Sequence, residues 1–319
     1  MPLAIICSGG DAPGMNPAIK QFVDYAYEKG EKSYFIYDGL EGLIDNNIKE
    51  ASYKDVAGIV HLGGTIIRSS RSKRFYEYKY RKEAYENLQA LNIDGLVVLG
   101  GDGSFRAMRV FSSEFAINFV GIPATIDNDI YGTEYCLGVD TSLNVIRDAI
   151  DKIRDTASSF HRAFIIEVMG RECGYLAAVS AVVSGAEICV IPEVAFNKES
   201  KKKRLQHEIA NGRGYVLAIV AEGTKKSEEI RQWIEKELGL ETRISILGHI
   251  QRGGNPTVYD RIMAFDFTVA AVDYLLENKD ANKVIVSNKG ELSFLQIEEI
   301  ESNRYVLPQK LIKAIEYLD

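Results

Sequence analysis

Short apolar runs alternate with helical patterns along most of the chain. The runs are four to seven residues long and lie at residues 3–7, 33–37, 95–99, 117–122, 163–168, 188–191, 215–221 and 244–247. Nearly all of them are separated by segments with helical spacing, a pattern typical of buried parallel strands joined by crossover helices. The alternation predicts an α/β protein with three layers, α/β/α, and mostly parallel sheets.

The first helix has a clearly marked predicted start. Asn16 follows a glycine-rich turn and is predicted to be the N-cap, with Pro17 as the first helical residue. The N-terminus of this helix would direct backbone N–H groups at a phosphate.

The unusual sequences of the chain all follow predicted strands. They read SGGDAPG, GGDGS, PATIDND, MGRECG, AEGT and GHIQRGG. In an open parallel sheet, ligands bind at the carboxyl ends of the strands. We therefore expect one cleft to collect these segments.

Two of the segments together indicate phosphoryl transfer. In GGDGS, residues 100–104, the glycine amides can approach phosphate oxygens and Asp102 can hold a cation. In TIDND, residues 125–129, either Asp127 or Asp129 can accept a hydroxyl proton while the other faces a metal ion or an orienting group. An ordinary turn explains either segment alone, whereas the pair favours a kinase.

The composition restricts the class of partner. The 319 residues carry a formal net charge of -7 with a pI near 5.4, which disfavours nucleic acid because its binding needs a basic surface. The apolar stretch at residues 175–186 is too short to span a bilayer. We expect a cytoplasmic protein without a signal peptide, whose four cysteines are reduced and mostly buried.

Several longer motifs add a family resemblance. They are SGGDAPGMN at residues 8–16, MGRECG at 169–174, AEG at 221–223 and GHIQRGGNPTVYDR at 248–261. With GGDGS and TIDND, they make the chain similar to the bacterial ATP-dependent 6-phosphofructokinases from the first strand to about residue 275. The resemblance implies two similar Rossmann-like lobes. Residues 1–138 would bind ATP, residues 139–319 would mainly bind fructose 6-phosphate, and the C-terminal helix would cross back to the first lobe.

The resemblance also implies an ATP site. The residues expected to contact ATP are Gly10, Arg71, Gly101, Asp102, Gly103 and Ser104. Asp102 is expected to hold Mg²⁺ with support from Asp129, and Ser104 is expected to open the helix beneath the phosphates.

Asp127 is the expected general base of the implied kinase. It would accept the proton of the fructose 1-hydroxyl as that oxygen attacks the γ-phosphorus. Thr125 and Arg171 are expected to stabilise charge on the transferring group, and Arg71 is expected to assist from the ATP phosphates.

Arginines dominate the implied sugar-phosphate site, because their planar fork suits phosphate oxygens. The residues expected at fructose 6-phosphate are Thr125, Asp127, Asp129, Arg162, Met169, Gly170, Arg171, Glu222, Arg243, His249 and Arg252. In the family, the residues matched by Arg162 and Arg243 serve the neighbouring subunit's site. The resemblance therefore implies a homotetramer.

The effector site of the bacterial enzymes, which binds ADP or phosphoenolpyruvate between subunits, is only partly matched. The residues kept are Lys20, Arg154, Glu187 and Arg213. The residues that depart are Asp24 and Tyr53 in place of arginines, Gly58 in place of an acidic residue and Asn211 in place of a basic one. We expect a weak or absent response to either effector.

The basic run at residues 201–204 invites a nucleic-acid interpretation. Because the whole chain is acidic, we interpret it as the solvated face of a helix that begins near Asn197.

Two other functions compete with an ATP-dependent kinase. Pyrophosphate-dependent phosphofructokinases place Asp after GGD and Lys before TIDND, whereas this chain has Gly103 and Ala124, which favours ATP. A catalytically silent sensor on the same fold would lack the base, the metal ligand or an arginine, and all of these are present.

Overall fold

The computed structural model describes residues 1–279 and 281–318. Its strands are β1 (Leu3–Cys7), β2 (Ser33–Ile36), β3 (Ile48–Glu50), β4 (Gly95–Gly100), β5 (Asn118–Pro123), β6 (Ala163–Val168), β7 (Ile188–Val190), β8 (Val216–Ala221), β9 (Thr242–Ile246), β10 (Asn282–Asn288) and β11 (Glu291–Gln296). Its α-helices are α1 (Met15–Glu28), α2 (Gly39–Ile44), α3 (Tyr78–Ala90), α4 (Asp102–Glu114), α5 (Val139–Phe160), α6 (Tyr175–Ser184), α7 (Lys198–Ala210), α8 (Ser227–Leu238), α9 (Val258–Glu277), α10 (Ile297–Ser302) and α11 (Gln309–Glu316). Short 3₁₀ helices cover Arg74–Tyr76, Glu222–Thr224 and Gly248–Arg252.

All eight apolar runs form strands, so the predicted α/β class with mostly parallel sheets is confirmed. The prediction missed β3, β10 and β11. These strands lie at or next to sheet edges and carry exposed polar residues. Their exposed polar residues interrupt the continuous apolar run that burial on both faces produces.

The first compact unit comprises Met1–Ile126, Ile130–Thr141 and Arg252–Arg304. Its sheet has the strand order β11-β10-β5-β4-β1-β2-β3. The pairs among β2, β1, β4, β5 and β10 are parallel, and the two edge strands β3 and β11 pair antiparallel. The central strands β1 and β4 are buried along their whole length. The glycine-rich segments SGGDAPG and GGDGS lie at the carboxyl ends of these two strands.

The second unit comprises Asp127–Asp129, Ser142–Gln251 and Tyr305–Asp319, the last described to residue 318. Its sheet is entirely parallel, with the order β7-β8-β6-β9. Apolar side chains from these strands and from helices α7 and α8 form the core, among them Ile165, Val190, Leu205, Val220 and Ile230.

The division of the chain is more interleaved than the single boundary at residue 138 suggested. The first unit extends to Thr141 but excludes Asp127–Asp129. The segment that returns to the first unit is Arg252–Arg304, which holds α9, β10, β11 and α10. The expectation for the C-terminal helix was wrong, because α11 belongs to the second unit.

Asn16 is not the N-cap of α1, so that prediction was wrong. The cap position is Gly14, whose φ of 106° favours glycine. Asn16 is the second residue of the helix. Its side chain donates to the carbonyls of Leu62 and Gly63 and accepts from the amide of Ile66. Asn16 therefore holds the segment at residues 62–66 and does not cap the start of the helix.

The basic run was interpreted only partly correctly. Asn197 is the N-cap of α7, and its side chain accepts from the amide of Ser200. Lys201, however, is buried, and its Nζ donates to the carbonyls of Glu187 and Leu318. Its charge therefore belongs to the interior of the second unit and not to a solvated face.

Two further expectations concern burial and membranes. All four cysteine thiols are buried, as predicted. Among the helices in residues 1–279 and 281–318, none has the length and apolar character needed to cross a bilayer.

Candidate active site

The glycine turn after β1 is tied to the segment that carries Arg71. The amide of Gly9 donates to the carbonyl of Ser70 at 3.3 Å, and the Ser69 hydroxyl donates to the carbonyl of Gly9 at 2.9 Å. Arg71 follows directly and is exposed. These two bonds hold the segment that precedes Arg71 beside the glycine turn.

A second arginine side chain lies close to Gly10. A Cβ at this position would lie 2.5 Å from Nη1 of Arg252. The same Nη1 donates to the carbonyl of Asp11 at 3.1 Å. Arg252, which the resemblance assigns to the sugar phosphate, therefore contacts the glycine turn within the first unit.

The second glycine turn leads from β4 into α4. Gly101 is the N-cap and the helix opens at Asp102, not at Ser104 as expected. The Ser104 amide donates to the carbonyl of Gly101, and its hydroxyl donates to the carbonyl of Ser8. Ser104 thus joins the two glycine turns. The N-terminal amides of α4 and the partly exposed carboxylate of Asp102 face the start of the helix, where an anion is favoured.

Gly103 has no packing reason to be glycine. A Cβ there would meet no atom within 4 Å, in contrast to Gly100, where it would lie 2.8 Å from the carbonyl oxygen of Ser8. Ala124 is buried at the end of β5. The absence of a side chain at position 103 therefore leaves open space beside the helix N-terminus.

Asp127 is a fully buried carboxylate that is paired with a half-exposed arginine. Its Oδ2 lies 3.0 Å from Nε of Arg171, and the exposed fractions of the two side chains are 0% and 50%. Both residues belong to the second unit. The guanidinium compensates the cost of burying the negative charge and leaves its own outer edge available to another anion.

The loop at residues 127–129 is held by contacts that the sequence did not reveal. Asn128 has a left-handed φ of 51° and is fully buried. Its carbonyl accepts from Sγ of Cys173 at 3.7 Å, and its side-chain amide donates to the hydroxyl of Tyr305 at 3.3 Å. Burial raises the pKa of the Cys173 thiol to about 12, so the sulfur remains protonated and acts as a donor.

Glu222 supports the backbone at Arg171, which also has a left-handed φ of 52°. Its Oε1 accepts from the Arg171 amide at 3.0 Å. The next residue must be glycine, because a Cβ at Gly223 would lie 1.8 Å from the carbonyl oxygen of Arg171. The AEG motif therefore fixes the conformation of the segment that carries the guanidinium.

Met169 and Gly170 lead into the same turn. The Met169 amide donates to Oε1 of the buried Gln251 at 3.1 Å, and Gln251 in turn donates to the carbonyl of Gly248. Gly170 has a φ of 135°, which L side chains rarely adopt. His249 lies exposed on the 3₁₀ helix that Gln251 anchors.

Arg162 and Arg243 share one carboxylate. Nε of Arg162 lies 2.8 Å from Oε2 of Glu241, and Nη2 of Arg243 donates to Oε1 of the same residue. Strands β6 and β9 pair in register next to these positions, which brings the two arginines together. The positive charge of the two guanidinium groups exceeds the negative charge of the shared carboxylate by one unit.

Each of the residues that the resemblance assigned to an effector site has a polar contact within its own unit. Lys20 forms an ion pair with Asp24 at 2.5 Å on α1. In the second unit, the carboxylate of Glu187 pairs with Arg213 and accepts from the amide of Leu217, and Arg154 donates to the carbonyl of Ser184.

No group of three or more His, Cys, Asp or Glu residues in the described ranges is placed to hold a metal ion. Asp102 is partly exposed at the start of α4 and forms an ion pair with Arg106 on the same helix at 2.8 Å.

The family model and similar known sequences all indicate phosphofructokinases. The family model described as Phosphofructokinase matches residues 2–275. The chain is 56% identical to the ATP-dependent 6-phosphofructokinase of Sulfurimonas denitrificans over 98% of each chain. It is 42% identical to the ATP-dependent 6-phosphofructokinase of Thermotoga neapolitana over 99% of each chain.

Similar folds occur among solved structures. Phosphofructokinase from Saccharomyces cerevisiae matches with a TM-score of 0.91 and 32% identity, over 100% of this chain and 47% of that one, so the chain spans about half the yeast protein's length. A pyrophosphate-dependent phosphofructokinase from Marinobacter aquaeolei matches with a TM-score of 0.85 and 19% identity, over 99% of this chain and 91% of that one. The second likeness concerns the fold alone.

Proposed function

The chain belongs to the phosphofructokinase family, and we propose that its residues carry out ATP-dependent phosphorylation of fructose 6-phosphate as follows. The γ-phosphate of ATP is transferred to the 1-hydroxyl of the sugar, which gives fructose 1,6-bisphosphate and ADP. The observation that carries the assignment of residues is the buried Asp127 carboxylate beside Arg171, in a loop directly after a strand end.

Asp127 is the general base. It accepts the proton of the attacking hydroxyl, so that the oxygen can approach the phosphorus as a better nucleophile. Arg171 and Thr125 stabilise the charge of the transferring group. The contacts of Glu222 and Gly223 with the backbone of Arg171 hold its guanidinium in place before the substrate arrives.

The first unit binds the donor. Gly10, Arg71, Gly101 and the amides that open α4 contact the phosphates of ATP. Mg²⁺ held by Asp102, with Asp129 in support, would neutralise charge on the phosphate oxygens. The open space at Gly103 admits a nucleotide phosphate, which favours ATP over pyrophosphate.

The second unit binds the sugar phosphate. Arg162 and Arg243 supply cationic donors for the 6-phosphate, and His249 adds a further donor. Met169, Gly170 and Glu222 contact the sugar. Arg252 lies beside the glycine turn of the first unit, and its guanidinium would be a further donor for phosphate oxygens.

A homotetramer is the proposed assembly, with Arg162 and Arg243 completing a neighbour's site. Exposed apolar side chains support it, because helix α9 carries Val258, Ile262 and Phe265 on one exposed stripe. We place the enzyme in the cytoplasm, with neither nucleic acid nor membrane as a partner, in keeping with its acidic composition.

A coupled assay of ADP formation tests the proposal. Purified protein with ATP, Mg²⁺ and fructose 6-phosphate is expected to turn over at roughly 1 to 100 per second, as is usual for kinases. The protein without sugar phosphate is the control. Binding of both substrates without ADP formation would instead support the catalytically silent sensor.

A further inference from the structure

The loop at residues 127–129 holds a backbone conformation that needs external support. Asn128 has a φ of 51° and lies between the two aspartates. Left-handed backbone costs free energy in residues with a side chain, although Asn tolerates it better than most. Because Asp127 must be placed within hydrogen-bond reach of a hydroxyl, any relaxation at Asn128 moves the proposed base.

Tyr305 supplies such support from the far end of the chain. Its hydroxyl accepts from Nδ2 of Asn128 at 3.3 Å, across 177 positions of sequence. Its ring packs edge-on against the ring of Tyr175, with centroids 6.2 Å apart and planes at 82°. Tyr175 is the first residue of α6 and is buried. The phenol ring is therefore oriented by packing, so its hydroxyl has a defined position.

The division of the chain into two compact units agrees with this contact. Asp127–Asp129 and the segment that begins at Tyr305 both belong to the second unit, although the residues before each of them belong to the first. The chain therefore passes from the first unit into the second at Asp127, just before Asn128, and again at Tyr305.

We propose that Tyr305 is a positioning residue for catalysis, which holds Asn128 and thereby sets the direction of the neighbouring Asp127 carboxylate. The proposal rests on the proposed function, because it assumes that Asp127 is the base. Tyr305 itself does not touch the substrate in this account. Its contribution belongs in kcat, since the base acts only during phosphoryl transfer.

The first test is Tyr305→Phe, which removes the hydroxyl and keeps the ring against Tyr175. We expect kcat to fall about three- to tenfold, the scale of one neutral hydrogen bond at a buried amide. The KM values for ATP and fructose 6-phosphate should each stay within about twofold. Tyr317→Phe is the matched control, because Tyr317 lies on the same C-terminal segment and is 85% exposed. It should behave as the wild type.

A double-mutant cycle with Asn128→Gly identifies the contact. Glycine removes the donor and relieves the left-handed backbone at the same time. In that background, Tyr305→Phe should change kcat by less than about twofold, because the hydrogen bond from Asn128 to the hydroxyl is already absent.

Two results would overturn the proposal. One is a kcat for Tyr305→Phe equal to that of Tyr317→Phe, even if its melting temperature falls, since a structural role alone would move only stability. The other is a full effect of Tyr305→Phe in the Asn128→Gly background. If the wild type and Tyr317→Phe both lacked kinase activity, the proposed function itself would be wrong, which is a different outcome from either.

Discussion

Asp127 is the residue on which the proposed mechanism depends most directly. It is fully buried, yet its charge is compensated by Arg171 at 3.0 Å. A serine at this position keeps a small polar group but cannot accept the hydroxyl proton. We expect Asp127→Ser to lower kcat by roughly 10² to 10⁴, the range for a lost general base, with little change in fructose 6-phosphate binding.

Steady-state kinetics and a separate binding titration check this expectation. Asp148→Ser is the control, because Asp148 lies on the surface of α5 and is 58% exposed. Wild-type turnover in Asp127→Ser would mean that another group is the base.

Gly103 is important to the proposed choice of ATP as donor because it has no side chain. Nothing packs within 4 Å of a Cβ there, so Gly103→Asp should fold with an unchanged melting temperature. Its carboxylate would repel a nucleotide phosphate. We expect kcat/KM for ATP to fall more than tenfold, while the wild type uses ATP and not pyrophosphate. Comparable wild-type turnover with pyrophosphate would contradict the assignment of the donor.

At the scale of elements, Asp260 connects the starts of α5 and α9. The fully buried carboxylate accepts from the amides of Gly138 and Thr141, each at 2.8 Å, and from the Thr141 hydroxyl at 2.5 Å. Burial raises the pKa of Asp260 from 3.8 to about 6. A carboxyl with a raised folded pKa favours the folded state below its unfolded pKa, and this contribution is lost as the pH rises to about 6.

This shift predicts how stability changes with pH. From pH 4 to pH 7, the free energy of unfolding of the wild type should fall by about 2 kcal/mol relative to Asp260→Asn, because asparagine does not titrate. Urea unfolding of both proteins at several pH values measures the difference, in which all other titrating groups cancel. Parallel pH profiles for the two proteins would show that Asp260 does not titrate in this range.

Helix α1 carries the strongest argument about regulation. Asp24 pairs with Lys20, so it neutralises the one retained cation of this helix in the implied effector site. Charge-assisted hydrogen bonds contribute roughly 1.5 to 3 kcal/mol each, so losing two or three removes most of the affinity for an anion. In the second unit, Arg213 is already held by Glu187 and Glu208.

We therefore expect ADP and phosphoenolpyruvate to change the half-saturation for fructose 6-phosphate by less than about twofold, since a ligand that binds both states weakly shifts little. Titration of each effector at sub-saturating sugar phosphate is the measurement, with the variant Asp24→Arg as a comparison. A shift of several-fold at millimolar effector in the wild type would mean that the site functions.

At the scale of the whole molecule, the proposed tetramer predicts shared sites. Arg243→Ser should raise the KM for fructose 6-phosphate far more than that for ATP, because the change removes a phosphate donor. Mixed tetramers of Asp127→Ser and Arg243→Ser subunits should regain activity, since some sites then contain both native residues. Mixing without recovery, when hybrids have been shown by native mass spectrometry, would mean that each subunit completes its own site.

The apolar pattern was sufficient for eight strands. Five of them, β1, β2, β4, β7 and β8, are buried along their whole length, and burial on both faces produces a continuous apolar run. The pattern was not sufficient for β11, with the exposed sequence Glu291–Gln296. Asn16 illustrates a second limit. A capping residue next to proline is a strong local signal, yet Gly14 became the cap and Asn16 turned to the segment at residues 62–66.

The sequence by itself determined the α/β class, the family and the chemistry of phosphoryl transfer, because periodicity, glycine turns and carboxylate spacing depend on near neighbours along the chain. Only the tertiary structure decided which side chains support that chemistry. Asn128 and Tyr305, which bond to each other, are 177 positions apart in the sequence. Arg162 and Glu241 are 79 positions apart. Lys201 donates to a carbonyl that is 117 positions away. Such contacts depend on how distant segments pack, and packing depends on shape and burial that no local pattern records.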